Sequence, residues 1–402
     1  MKYFVQFSSS FGGRLNPVMK HLSKVLPAVG LPYNPHFLEH PTWVSWVKGV
    51  VGGQAKFILL ASQDDLDSFC YDAWKNSKTS VVEVFGSVMD ANKGLWEELL
   101  SKMVGVDNRV QVWLGGYITD PERWLENIRP SVGVCWLKSL EELPGYAGQS
   151  PDHSLLSEYP ALPRLTMSTG CLFNCNFCTI ERKVKEVRID SIFNQVASFM
   201  GLKFEYIYLD DKTFGQASNY RLLGLVKQMV LEYNPEFKGF IVQTTVGELY
   251  QKYEEFLDLG VVFAEIGVEI PDDIFLKKMN KPYRMAALDR LMRYHTGRVR
   301  SYHESIRIIP NILFGVPGDD YEVTLRWLDK HMDVLSHINP FILSFYEEAK
   351  NAQGMIGDHT AEDGDDDETK YSRSWLSEYE VRLMEEALDC AFFLVEKHLD
   401  VY

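Results

Sequence analysis

Short apolar runs alternate with helix-length amphipathic stretches along most of the 402-residue chain. In the first 150 residues the strand-like runs are 3–7, 57–60, 81–85 and 110–114. Between the last two, segment 91–103 spaces Leu95, Leu99, Leu100 and Met103 along one helical face. Strand, helix and strand in that order predict a parallel sheet covered by helices. Gly115 and Gly116 directly follow a strand, where an open α/β sheet keeps its ligand crevice. The first 55 residues, with Pro17, Pro27, Pro32, Pro35 and Pro41, give no comparable pattern.

Segment 141–163 is rich in Gly, Pro and Ser and reads as a linker. Beyond it the alternation resumes, with strand-like runs at 165–168, 206–209, 240–244, 262–268, 308–314 and 341–345. Helix-length segments such as 191–200 and 321–334 separate them. Six such units are too few for an eight-unit barrel and predict a partial one, with chemistry at the C-terminal strand ends. The acidic run 362–368 reads as a solvated loop. The last segment predicts an amphipathic helix, with Ser377 and Glu380 as a capping box and Val381, Met384, Leu388, Phe392 and Val395 on one face. The expected domains are 1–150, 160–345 and a C-terminal acidic loop and helix over 346–402.

Composition narrows the function. The chain is 46% hydrophobic and 13% aromatic, as in a soluble globular protein. A net charge of −15 argues against a broad phosphate-binding surface, so nucleic acid is not an expected partner. No uncharged apolar run is long enough to span a bilayer, and no leader-like segment opens the chain. Six cysteines, three clustered and three isolated, resemble metal-site usage in a reducing compartment. The expected location is the cytoplasm.

The cluster is Cys171, Cys175 and Cys178. Three thiolates on a short loop can cap one face of a four-iron, four-sulfur cluster and leave one iron open. Closed structural zinc would need a fourth ligand, and His153 is the only histidine close in sequence. Phe177 is placed to cover the cluster or an adenine. Isolated Cys135 and Cys390 read as small buried hydrophobes, Cys390 on the core-facing side of the last helix.

The cysteine run resembles the signature of radical S-adenosylmethionine (SAM) enzymes. Three further segments, in the same order as in that family, extend the resemblance over roughly 160–345. Tyr206 to Phe214 resembles the strand-two motif that receives the SAM amino group, on Asp210 or Asp211. Gly267 to Ile270, followed by Leu276 to Lys281, resembles the strand-four motif, with Glu269 facing ribose and methionine. Asn311 to Asp319 resembles the strand-five motif near adenine and contributes Asn311 and Gly315. Gln243 and Thr244 end a strand between these segments and are placed to reach the barrel mouth. Ile270 replaces the usual Ser, and Asp319 the usual Glu. The resemblance implies reductive cleavage of SAM to methionine and a 5′-deoxyadenosyl radical, with flavodoxin or ferredoxin as reductant.

The N-terminal part is similar to the Rossmann-like cobalamin-binding domain that precedes the barrel in one radical SAM class. Segment 110–122, with Gly115 and Gly116, carries the likeness, although Tyr117 and Ile118 replace Pro and His. The whole is therefore expected to be an α/β chain: a cobalamin-type domain, a partial (β/α)6 radical SAM barrel and a C-terminal helical segment. The implied activity is a cobalamin-dependent methyltransferase acting on an unactivated carbon of a small molecule or peptide. The alternatives are a cobalamin-free radical SAM oxidoreductase or rearrangement enzyme with a vestigial first domain, and a non-catalytic metal-binding protein. Methylthiotransferases of the superfamily hold a second cluster on three upstream cysteines, whereas here only Cys70 and Cys135 lie upstream.

Overall fold

In the computed structural model the apolar runs become the strands of two parallel sheets. The structure describes all residues except 14–16, 37–40, 90–91, 104–108, 119, 129–131, 147–150, 160–161, 303, 345–352, 357–372 and 402. The chain packs as two compact units. One comprises 1–20, 33–161 and 197–203; the other comprises 21–32, 162–196 and 204–402.

The first unit holds β1 (Lys2–Phe7), β2 (Ala55–Leu60), β3 (Val82–Met89), β4 (Val110–Tyr117) and β5 (Gly133–Trp136), ordered β2-β1-β3-β4-β5 and parallel throughout. This doubly wound order has its switch point between β1 and β3. Strand alternation sends Val5, Val84 and Val112 to one core with Trp96, Leu99 and Leu100 of helix Lys93–Lys102. Phe4 and Phe85 go to the opposite face, against Val44, Val47, Leu143 and Leu156. Leu143 and Leu156 lie in the stretch expected to be a linker. Their burial makes that stretch part of the first unit's packing instead, because apolar side chains at those positions reach the sheet.

In the second unit β6 (Arg164–Leu165) is followed by a small antiparallel ladder of β7 (Ser168–Thr169) and β8 (Lys185–Glu186). Then come β9 (Tyr206–Leu209), β10 (Gly239–Thr244), β11 (Val261–Glu269), β12 (Arg307–Phe314) and β13 (Asn339–Ile342). The six-stranded sheet runs β13-β12-β11-β10-β9-β6, all parallel, curled into a half barrel. Its strands agree with five of the six expected runs, the last of them starting earlier and ending at Ile342; the first expected run, 165–168, is split, because β6 ends at Leu165 and Ser168 belongs to the β7–β8 ladder. Pro340 is tolerated there because β13 is an edge strand, where a missing N–H costs no ladder bond. Tyr206, Ile241, Phe263 and Ile309 form one end of the core together with Val29 and Leu31.

Helix Glu378–Leu399 begins with the expected capping box: Ser377 Oγ accepts from the Glu380 N–H, and Glu380 accepts from the Ser377 N–H. Met384, Leu388, Phe392 and Val395 are buried along one face. Cys390 does not share that face. It is exposed, because it falls about 200° around the helix from Leu388. Cys135 is half-buried, with Gln111 Nε2 3.2 Å from its sulfur. The acidic run 362–368 lies outside the described residues. Among the described residues no helix is long and apolar enough to cross a membrane.

Candidate metal and cofactor site

The cysteine loop leaves the C-terminal end of the half barrel's first strand and is stitched in place from several sides. The Met167 N–H and the Ser168 hydroxyl both donate to the Asp211 carboxylate, which fixes the chain before the loop. Gly170 has φ +80, and a Cβ there would lie 2.0 Å from the Lys183 carbonyl oxygen. The Arg182 guanidinium donates to the carbonyls of Phe173, Cys175 and Cys178 at 3.0, 3.2 and 2.9 Å. One fork thus gathers three carbonyls of a loop that has no regular structure to satisfy them. Asn176 donates to the Met279 and Lys278 carbonyls, and Asn280 Nδ2 to that of Asn174.

The sulfurs have polar neighbours. Thr213 Oγ1 lies 3.2 Å from Cys171 Sγ, and Thr213 itself is buried. Burial pushes the Cys175 thiol pKa up, while the Lys281 ammonium pulls the other way. Gln216 Oε1 accepts from the Leu172 N–H at 3.0 Å, while its Nε2 is buried without a hydrogen-bond partner. Among the described residues no three His, Cys, Asp or Glu side chains converge as ligands of one metal ion. A four-iron cluster does not require that convergence, since each thiolate binds a different iron.

The end of β11 supplies the charged part of the site. The pairing with β12 shifts register between Gly267 and Glu269, and Glu269 adopts φ +60. A left-handed glutamate beside a bulge stores strain that an ordinary strand end would not. Its buried carboxylate pairs with Lys281 Nζ at 2.7 Å. Burial opposes the Lys281 charge, but Glu269 and Cys175 outweigh it and hold its pKa above the ordinary value. Gly267 makes room for the pair, because a Cβ there would meet Glu269 Oε1 at 2.6 Å and Lys281 Nζ at 2.7 Å. Phe177 presents its ring to Lys281, 5.7 Å from Nζ to the centroid. Tyr283 OH donates to the Gly267 and Val268 carbonyls, bracing the strand end. Ile270 is fully buried, so the position where the family motif carries Ser is core here.

The two aspartates divide. Asp211 is 2% exposed and both its oxygens accept from the chain before the cysteine loop; burial raises its pKa. Asp210 is half-buried, and its Oδ1 takes Arg164 at 2.8 Å and Lys212 at 3.6 Å. Gln243 is half-buried on β10 opposite Glu265, whereas Thr244 is buried and donates to the Phe214 carbonyl. Asn311 is buried on β12 and accepts from Asn339 Nδ2 at 3.2 Å. Gly315, at φ +79, is held by Tyr321 OH on its N–H and Trp375 Nε1 on its carbonyl. Burial lifts Asp319 to about 6, and its Oδ2 is buried without a hydrogen-bond partner.

Gly115 and Gly116 belong to the other unit. A Cβ on Gly116, which has φ +132, would lie 2.0 Å from the Val88 carbonyl oxygen, and one on Gly115 would lie 3.2 Å from that of Leu137. On neighbouring β3, Gly86 lies directly under Trp96, whose ring would be 2.0 Å from a Cβ there. Sequence reasoning did not single out Arg182, Thr213 or Gln216. Lys281 entered only as the last residue of the strand-four motif, without its pairing to Glu269. Arg182 and Thr213 carry no sequence signal beyond nearness to a cysteine or an aspartate.

Residues 165–328 match the Radical SAM superfamily model. Ribosomal protein uS12 methylthiotransferase RimO of Oleidesulfovibrio alaskensis is 24% identical over 379 residues, covering 86% of this chain and 80% of that protein. The structure of the cobalamin-dependent SAM radical enzyme OxsB, with aqua-cobalamin and SAM bound, superposes with a TM-score of 0.53 at 15% identity over 94% of this chain. Its apo form gives 0.51 at 13% identity. The chain spans 57% of the OxsB structure's length, and the likeness supports the two-part fold. The chain therefore carries a radical SAM domain, preceded by a Rossmann-like unit.

Proposed function

We propose that this chain is a radical SAM methyltransferase that uses cobalamin to methylate an unactivated carbon of a small molecule or peptide. The observation that carries the radical SAM part is the cysteine loop, fixed by Arg182 and Asp211 beside the Glu269–Lys281 pair. The three thiols on one loop fit a four-iron, four-sulfur cluster, and Cys171, Cys175 and Cys178 would hold it. When bound, the cluster and SAM supply the electron and the 5′-deoxyadenosyl group that begin hydrogen abstraction.

The surrounding residues take separate roles in this reading. Thr213 orients on the Cys171 sulfur, and Phe177 screens the loop from water. Glu269, Gln243, Asn311 and the Gly315 turn form the seat for SAM. Asp211 is a positioning residue, since both its oxygens are already used. Asp210 then faces the SAM ammonium, where a partly buried carboxylate is the natural partner for a buried positive charge. Asp210→Asn is expected to raise the KM for SAM with iron content unchanged. Asp211→Asn is expected to lower iron content instead.

The methyl-transfer part is supported by the first unit, whose β2-β1-β3-β4-β5 order is of the kind that binds ligands at the strand ends beside the switch point, here near Ser8 and Ser87. A specific observation favours a second reading, a radical SAM enzyme without cobalamin. The Trp96 ring fills the space over Gly86, and it packs edge-on to Phe7 at 5.3 Å. The methylthiotransferase activity named for the RimO relative is not carried over. Cys70 and Cys135, the two cysteines upstream of the loop, sit on helix Gln63–Ser77 and on β5. Anaerobic loading with hydroxocobalamin followed by desalting separates the readings. A retained cobalt spectrum with one cobalt per chain supports methyl transfer; none leaves the cobalamin-free enzyme.

A further inference from the structure

Gln216 differs from the other side chains that fix the cysteine loop. Its Oε1 accepts from the Leu172 N–H at 3.0 Å, on the peptide that follows Cys171. Its Nε2 is buried and has no hydrogen-bond partner among the described residues. It is the one such buried atom, among the described residues, whose side chain is bonded to the run 171–178. Turning the amide over brings no relief. The NH2 group would then face the Leu172 N–H, donor against donor. The oxygen is therefore fixed on the loop, and the nitrogen stays buried beside it with two protons to place. Buried donors of this kind are costly and normally met, so this one calls for an acceptor.

The stretch that carries Gln216 is held firmly. The Phe214 N–H donates to the Gln243 carbonyl at 2.7 Å, and the Thr244 hydroxyl to the Phe214 carbonyl at 2.8 Å. Lys252 Nζ donates to the Gly215 carbonyl. The Phe214 ring is fully buried, 5.0 Å from Phe256 and 5.8 Å from Tyr220 between centroids. The same four residues reach Cys171 twice. Thr213 Oγ1 lies 3.2 Å from its sulfur, and Gln216 holds the next peptide. The Thr213 hydroxyl donates to the Lys212 carbonyl at 2.8 Å, which leaves the Phe173 N–H, at 3.5 Å, as the donor that the described residues give this sulfur. A thiolate in a cluster accepts more than one hydrogen bond, and so do the cluster's sulfides.

We propose that Gln216 tunes the iron–sulfur cluster, with its Nε2 donating a hydrogen bond to a cluster sulfur beside Cys171. The inference rests on the radical SAM reading and adds a positioning residue that sets how readily the cluster accepts its electron. Reduction adds one negative charge to the cluster. A donor aimed at a sulfur stabilises that charge, so the bond raises the reduction potential. The Leu172 contact keeps the donor aimed, because it fixes which end of the amide faces the loop.

The test compares wild type with Gln216→Met and Gln216→Glu, each reconstituted anaerobically and titrated with dithionite under EPR, without SAM. Met keeps a similar length but has no N–H. Glu keeps an acceptor for the Leu172 N–H and loses only the donor. Reduction of the Met variant is expected to be about tenfold less favourable, a potential ~59 mV lower for one electron. The Glu variant is expected to fall at least as far, and both to match wild type in iron content. ENDOR after exchange into heavy water is expected to show weaker coupling of exchangeable deuterons to the reduced cluster in both variants. A wild-type potential in either variant, with the deuteron coupling unchanged, would overturn the proposal. So would loss of iron from both variants, which would make Gln216 a structural brace of the loop. A wild-type chain that takes up no four-iron cluster would overturn the radical SAM reading itself.

Discussion

Both parallel sheets place glycines near strand ends, and the two sets do opposite things. In the half barrel Gly267 leaves space that the Glu269–Lys281 pair occupies, so a missing side chain admits buried charge beside the cysteine loop. In the first sheet Gly86 leaves space that the Trp96 indole fills, and Gly116 admits the Val88 carbonyl. One set opens a polar site; the other is consumed by packing. A glycine at the end of a parallel strand therefore marks close approach, and only the neighbouring residues decide whether the approach serves chemistry or the core.

Substitutions at each end sharpen that contrast. Trp96→Ala is expected to cost about 3–5 kcal/mol, read by urea denaturation, because a fully buried indole leaves a cavity over Gly86. If Trp96 instead cedes its place to a cofactor, the loss is small and cobalamin retention rises. Lys281→Met is expected to destabilise by about 3 kcal/mol, since Glu269 is then left as a buried charge without its partner. The same variant tests whether the pair is built for SAM: weaker SAM binding by calorimetry is expected with it.

Smaller effects follow from single polar contacts. The carboxyl of Asp319 is raised to about 6 in the fold from 3.8. Between those values the folded chain binds more protons than the unfolded one, so this contribution is full below pH 3.8 and is lost as pH rises through about 6. Asp319→Asn is expected to remove that slope, at most about 3 kcal/mol in unfolding measurements taken at pH 4 and pH 7. Smaller still, Thr213→Val removes the hydroxyl that lies 3.2 Å from Cys171 Sγ and donates to the Lys212 carbonyl, and is expected to shift the cluster's reduction potential in an EPR-monitored titration with iron content unchanged.

Much of the half barrel was legible, because strands buried on both faces read as continuous apolar runs such as 240–244 and 308–314. The cysteine spacing is local, and so are the strand positions of Glu269 and Asn311, both of which the structure buries. What could not be read depends on contacts between distant residues. Arg182 matters through three carbonyls, and carbonyls carry no sequence signal. Asp210 and Asp211 look alike in sequence and separate only when Asp211 is seen to be saturated by Met167 and Ser168. Cys390 differs from Leu388 by two positions on one helix, which is enough to turn it to solvent. Segment 21–32 packs with the second unit because Val29 and Leu31 cap its core, a long-range contact that no local pattern contains.

The central claim is that the Cys171, Cys175 and Cys178 loop holds a cluster that cleaves SAM. Its most direct test is 5′-deoxyadenosine formation by the anaerobically reconstituted, dithionite-reduced protein, beside Cys175→Ala. The account predicts product from wild type, with about four irons per chain, and none above background from a folded Cys175→Ala. Product at the wild-type rate from the variant, or a wild-type chain that binds one zinc and yields no 5′-deoxyadenosine, would contradict it.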